Sequence, residues 1–456
     1  MNSVILARAL GVERLGAYAY AMGLAGLFAL VPNLGINHVV TRAIARDPHG
    51  EGVEVFRAGR RAQALLAGGI CVIIPSFAAA LPAQPVPLAF VGLAAAQFAV
   101  GTLSWPYLAV LGGYTRYDRV AVVELVSAVT GTGTLLLALA LHGGVGSVLL
   151  AHCGAAVLSV AFTVQLTRAF LPAADGRVLG TGALLRQVAP FGAAATVQSL
   201  YTRLDVLLLG QLASTRALGL YNVAYKPANM LVYFGSSLAG PVFPVMARAP
   251  RREAPPQFRR ALWALGVAGP GIAIALTGLA GPLITLLFGS IFASAAPVLG
   301  VLAWSAAANW LYAPLAMALQ AQGQERAWLA GLGGALALNA AGNLWAIPRW
   351  GALGAAAATL ASEVFLVILG AALLWRGLGL RPAPRPVLAG LGAAAAGGAA
   401  LWALWSWGPF AGTAVALLVY SGLLVGLRVV TARDVALVIG WFREAGPALW
   451  DRRAAV

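Results

Sequence analysis

The chain is built from long apolar runs, and the length of those runs decides almost everything else about it. A helix crossing the hydrocarbon of a bilayer needs about 20 largely apolar residues. Thirteen such runs, separated by charged or Pro/Gly-rich breaks, fall at 15–41, 58–81, 87–112, 119–141, 145–169, 182–211, 216–246, 258–288, 292–320, 327–347, 351–375, 387–407 and 409–430. They are rich in Ala, Leu and Gly and do not alternate apolar with polar, which predicts helices rather than membrane strands. Only 10% of the 456 residues are charged, against about 25% in soluble domains. That deficit argues against a water-soluble enzyme, a disordered chain or a nucleic-acid-binding module. The 55 glycines and 25 prolines would disrupt soluble helices, whereas membrane helices use them for close packing and kinks.

Thirty basic against fourteen acidic residues give a formal charge of +16, which taken alone suggests an anionic partner. Their placement says otherwise. Arg42, Arg46, Arg57, Arg60 and Arg61 follow the first run, Arg116 and Arg119 the third, and Arg168, Arg177 and Arg186 the fifth. Five more arginines follow the seventh, Arg326 follows the ninth, three follow the eleventh and five lie in the tail, so that 24 of the 30 share one side. By the positive-inside rule that side is cytoplasmic. The C-terminus is expected inside and the chain as given is expected to begin outside. Met1–Ala7 has neither the basic n-region nor the full apolar h-region of a signal peptide.

An internal repeat bears on that unusual start. Leu15-Gly16-Ala17-Tyr18 with Ala21 recurs as Leu218-Gly219-Leu220-Tyr221 with Ala224, an offset of 203. Leu108-Ala109, Arg119, Gly144 and Val160 recur as Leu315-Ala316, Arg326, Gly351 and Val367, an offset of 207. Matching loops keep their side of the membrane, so the halves form a parallel repeat of six spans each. The expected organisation is an N-terminal lobe over 1–170, a C-terminal lobe over 180–376, an extra helix pair over 387–430 and a cytoplasmic tail over 431–456. The run at 182–211 has its first-half counterpart mostly upstream of Met1, with Met1–Ala7 aligned to Leu204–Gly210. A full-length relative is expected to carry about 20 further residues there.

Signatures of catalysis are absent: there is no Asp-x-Asp pair, no phosphate-binding loop and no G-x-S-x-G elbow. His38, His49, His142 and His152 lack metal-ligand spacing, and Cys71 and Cys153 stand alone in separate runs. No cofactor is implied. The charges inside the runs stand out instead: Arg203, Asp205, Lys226 and Glu363, with Glu124 nearer a cytoplasmic end. Each costs about 2.5–3.5 kcal/mol at a helix centre, so each is expected to face protein or a water-filled cavity. Lys226 is the only lysine and precedes Pro227, where a kink is expected. Arg203 and Asp205 are two residues apart and point to different faces of one helix. Two readings stay open. Asp205 neutralises Lys226 as a buried structural pair, or Arg203 and Lys226 meet an anionic substrate with Asp205 orienting them. Glu363 and Asp205 are the candidates for an ion-coupling site, with a hydrogen-bonded interior carboxyl as the alternative for Glu363. Asn222, Asn229, Asn309, Asn339 and Asn343 are expected to hydrogen-bond between helices.

The stretch Ala189-Pro-Phe-Gly, Tyr201-Thr-Arg-Leu-Asp205, Gly219-Leu-Tyr221-Asn-Val-Ala224-Tyr-Lys226 and Pro241-Val-Phe-Pro244 resembles the second-half signature of the polysaccharide flippases. These belong to the multidrug/oligosaccharidyl-lipid/polysaccharide exporter superfamily. The run Ala7-Arg8-Ala9-Leu10-Gly11-Val12-Glu13-Arg14-Leu15-Gly16-Ala17-Tyr18 resembles the first-half copy, and the likeness continues through Gly281-Pro-Leu-Ile and Asn343 to Gly354. The resemblance implies an all-α membrane protein with two six-helix lobes around a cavity that opens alternately to either side. It implies a polyprenyl-diphosphate-linked oligosaccharide as substrate, membrane lipids as surroundings, and a glycan polymerase or glycosyltransferases as neighbours in the cytoplasmic membrane. A cation-coupled multidrug antiporter of the same superfamily and a non-transporting subunit of a glycan-assembly complex are the alternatives.

Overall fold

A computed structural model of the chain describes residues 2–28, 31, 33, 35–171, 180, 182, 184, 200–250, 253–379 and 384–431. Residues 432–456 of the expected tail, the Ala189–Gly192 part of the signature, and Arg177 and Arg186 lie outside the described residues. Every regular element among the described residues is a helix. In chain order these are α1 (Asn2–Leu27), α2 (Ile36–Arg46), α3 (Glu51–Ala80), α4 (Leu88–Thr102), α5 (Trp105–Gly113), α6 (Tyr117–Ala140) and α7 (Val145–Thr167). The second half follows with α8 (200–212), α9 (Thr215–Ala239), α10 (Val242–Arg248), α11 (Pro256–Phe288), α12 (Ala296–Ala321), α13 (Glu325–Trp350) and α14 (Ala352–Leu378). The terminal pair is α15 (Pro384–Ala403) and α16 (Pro409–Gly426).

Nine of the described helical stretches are long and apolar enough to cross a membrane, and Leu388–Ala403 is a shorter apolar helix. Their outward faces are apolar too: Leu65, Val72, Leu125, Val129, Leu137, Leu286 and Ile368 are all exposed. Apolar surface on that scale would aggregate in water and is what a lipid-facing wall requires. The protein is a multi-pass membrane protein.

Three apolar runs are not single helices. The run at 15–41 divides into α1 and α2 around Asn33 and Gly35, where Asn33 Oδ1 accepts the backbone N–H of Asn37 at 3.2 Å in the first turn of α2. The run at 87–112 divides at Leu103-Ser104, ahead of Pro106, whose ring has no N–H to continue the ladder. The run at 216–246 divides at Gly240-Pro241 for the same reason. Hydropathy carries straight through the second and third breaks, whereas the first is marked by Asn33, Asn37 and His38.

The repeat is visible in the element order. α1 contains a non-helical residue, Gly11, at φ 72 and ψ 179, a conformation open to glycine because it has no Cβ. Residues 2–10 and 12–27 are thus two helical pieces. They correspond at the 203 offset to α8 and α9, which are separated by Ala213-Ser214. Each pair is followed by a short helix, α2 or α10, and then by the long helices. α7 and α14 both begin immediately after the matched glycines Gly144 and Gly351.

The chain separates into two compact units. The first is Met1–Val223 with Leu287–Phe292 and Leu336–Ala358; the second is Ala224–Leu286, Ala293–Ala335 and Thr359–Val456. In the first unit Ile36, Val40 and Ile44 of α2 pack on Phe56, Ala58 and Ala62 of α3 and on Tyr107 and Val110 of α5. Phe56 and Tyr107 meet edge to face at 5.3 Å, the geometry favoured by ring quadrupoles. The turn before α3 is closed by Asp47. Its carboxylate accepts the backbone N–H groups of Glu51 and Gly50 at 2.9 Å each and of His49 at 3.3 Å. In the second unit Ile274 of α11 packs on Ala393, Ala394 and Leu401 of α15 and on Ala416, Tyr420 and Leu424 of α16. The Tyr420 hydroxyl donates to the carbonyl of Val267 at 2.6 Å, tying the terminal pair to α11.

Candidate functional site

In the first unit α1 and α8 approach too closely for side chains to intervene. A Cβ on Gly23 would collide with Val206, one on Gly210 with the Tyr20 ring, and one on Gly26 with the Arg203 guanidinium. The matched pairs run in opposite directions along the two helices, so they are antiparallel. Further along, a Cβ on Gly16 would meet the carbonyl oxygen of Thr215, and one on Gly219 that of Val12. The repeated glycines therefore face each other's helices. Beside Gly210 the seam is closed by polar contacts from Gln211. Its Nε2 donates to the Tyr20 hydroxyl at 2.7 Å and to the Ala83 carbonyl at 2.9 Å, and its Oε1 accepts the Ala83 N–H at 3.1 Å.

Asp205 lies on the face of α8 away from this seam and is 7% exposed. Its Oδ2 accepts the Tyr221 hydroxyl of α9 at 2.6 Å, and its Oδ1 accepts Asn343 Nδ2 of α13 at 2.8 Å. Asn343 Nδ2 also donates to Asn339 Oδ1, one turn away on α13, at 2.9 Å. All four side chains are buried. Tyr221 and Asn343 are neutral donors. Among the described residues no group of three or more His, Cys, Asp or Glu side chains is placed to hold a metal.

Arg203 is not part of that cluster. It is half-buried, with its guanidinium against Gly26 in the last turn of α1. The C-terminal end of a helix carries a partial negative charge, so a cation there is favourable. The two-residue separation places Arg203 and Asp205 on different helix faces, as the periodicity requires. Lys226 is exposed on α9, with Pro227 inside the same helix, and belongs to the second unit. Glu363 of α14 also belongs to the second unit and is 7% exposed. Asp205 is placed in a network of interhelical hydrogen bonds with Tyr221 and Asn343. Its partner Tyr221 is visible in the sequence only as a repeated aromatic. Asn339 and Asn343 are visible as interior amides, and their four-residue spacing is the signal that they share a face.

A family model described as polysaccharide biosynthesis protein matches residues 5–297. No curated protein matches the sequence significantly. Among solved structures, a lipid II flippase MurJ in an inward closed conformation shares the fold with a TM-score of 0.67. The match is at 13% identity and covers 95% of this chain and 98% of that one.

Proposed function

The chain belongs to the family of polysaccharide biosynthesis proteins, and from that membership we propose that it is a flippase for a polyprenyl-diphosphate-linked oligosaccharide. It moves this lipid from the cytoplasmic to the outer leaflet of the cytoplasmic membrane by alternating access. The observation that carries the reading is the family match combined with a flippase fold over nearly the whole chain. A transported diphosphate needs fixed positive charge at membrane depth, and Arg203 and Lys226 supply it. Arg203 grips as a planar fork and Lys226 acts as a point charge. Asp205, held by Tyr221 and Asn343, orients the site and, with Glu363, is the candidate for coupling an ion to the cycle. The arginine-rich side and the C-terminus are cytoplasmic, and a glycan polymerase or glycosyltransferases act on the same lipid.

The test is flipping of a fluorescent polyprenyl-diphosphate glycan in vesicles containing the purified protein. Arg203→Glu combined with Lys226→Glu is expected to abolish flipping while expression and solubility persist. Wild-type rates in that variant would reject the substrate-binding role.

A further inference from the structure

The tyrosine that donates to Asp205 has a counterpart in the first repeat, and its partner there is of a different kind. At the 203 offset Tyr221 corresponds to Tyr18 and Asp205 to Asn2; at the 207 offset Asn339 corresponds to Thr132 and Thr359 to His152. The matched elements meet through different residues, since Asn343 corresponds to Leu136 and Thr132 to Asn339. In the second repeat α8 reaches α13 through Asp205 and Asn343. In the first repeat the piece of α1 before Gly11 reaches α6 where Asn2 Oδ1 lies 3.0 Å from Thr132 Oγ1, a hydroxyl that also has the Ala128 carbonyl at 2.7 Å. The second repeat's tyrosine donates to a carboxylate. The first repeat's tyrosine hydroxyl lies 3.4 Å from Nδ1 of His152 on α7, with ring centroids 5.9 Å apart.

We infer that the first repeat gives its matched tyrosine, Tyr18, an ionisable partner of its own: the ionisable group is the His152 imidazole and the ligand it takes is a proton. Asn2 stands where the second repeat has Asp205, so the carboxylate is absent there, and the His152 imidazole beside Tyr18 is the group that can change charge. Neutral imidazole protonated on Nε2 accepts the Tyr18 hydroxyl at Nδ1. Imidazolium has only donors, so uptake of one proton reverses that hydrogen bond and turns the Tyr18 hydroxyl toward another acceptor. The α1–α7 contact is thereby made protonation-dependent.

Other ionisable groups lie on the elements around α7 but do not meet the ring. α4 has none; α5 carries Tyr107; α6 carries Tyr117, Asp118, Arg119 and Glu124; α1 carries Arg8, Glu13, Arg14 and Tyr20 besides Tyr18; and α7 itself carries Cys153. Among the described residues Tyr18 is the one hydrogen-bonded to His152, with its ring tilted against the imidazole. Thr132 and His152 lie at similar depth, roughly 10–12 Å from the α6–α7 turn, whereas Glu124 is about 24 Å from it along α6.

The inference stands on the repeat and on these contacts, so it is decided whether or not flipping is observed. The full chain is labelled with 15N-histidine, and the other three histidines are removed by His38→Gln, His49→Gln and His142→Gln. The remaining imidazole is expected to take up a proton reversibly as the pH is lowered. Tyr18→Phe in that background is expected to move the midpoint up by about half a pH unit, the value of one hydrogen bond to the neutral form. An imidazole in one protonation state throughout, or a titration indifferent to Tyr18→Phe, would overturn the site.

Discussion

Asp205 concentrates the consequences of a single side chain. Replacing it by leucine strands the Tyr221 hydroxyl and the Asn343 amide in a buried place, at about 1–3 kcal/mol for each unmade bond. Asp205→Leu is therefore expected to lower stability by about 2–4 kcal/mol, and Asp205→Asn by less because one amide oxygen still accepts. Thermal unfolding in detergent checks both, and equal midpoints for wild type and Asp205→Leu would contradict the network. Asp47 makes a separate, pH-dependent contribution. Hydrogen bonds from the backbone of Glu51 and then Gly50 hold its carboxyl below the ordinary aspartate value. The stabilisation is complete above the unfolded value, about 3.9, and is lost as pH falls through the lowered folded value. The gap between wild type and Asp47→Ala in thermal midpoint should be constant at neutral pH and close in acid. A gap unchanged below pH ~3 would refute the linkage. Much of this is legible in the sequence because a charge in an apolar run announces itself. Asp205 and Glu363 read as interior from their positions alone. The contact of Arg203 with Gly26 is not legible, since it depends on how closely two distant segments approach.

Helices α1, α8 and α9 are held together by what their glycines lack. A methyl group on Gly16 would collide with the Thr215 carbonyl and one on Gly219 with the Val12 carbonyl, and backbone cannot rotate out of the way as a side chain can. Gly16→Ala and Gly219→Ala are each expected to reduce folded yield severely. Gly131→Ala, with no atom within 4 Å of the new methyl group, should be neutral or slightly stabilising, since alanine favours the helix by about 1 kcal/mol. Size-exclusion profiles of the three variants distinguish these outcomes, and an intact Gly16→Ala protein would contradict the close approach. The existence of the helices is legible because a span needs a fixed length of apolar sequence. Their continuity is not. The breaks between α4 and α5 and between α9 and α10 sit inside unbroken apolar sequence, where hydropathy is blind, while that between α1 and α2 lies among Asn33, Asn37 and His38. The signals present are Gly35, Pro106 and Gly240-Pro241, whose effect is on the backbone rather than on transfer energy.

At the scale of the whole molecule, the segregated arginines make a prediction about sidedness. In a chain with Cys71→Ser and Cys153→Ser, Gln84→Cys in the α3–α4 turn should react with an impermeant maleimide added outside intact cells. His49→Cys, in the turn before α3, should react only after the membrane is opened. The reverse pattern would invert the orientation. The seam between α1 and the start of α9 has a further consequence. Interlocked side chains resist turning, because many rotamers must change together. At the Gly16–Gly219 crossing there are none to unlock, so a turn about that point would cost no rotamer change there. The arm from Gly16 to Leu27 is about 16 Å long, and a tilt of ~10° about the crossing carries its far end through about 3 Å. Leverage of that size, from one contact kept small by two glycines, reaches the last turn of α1, where the Arg203 guanidinium rests.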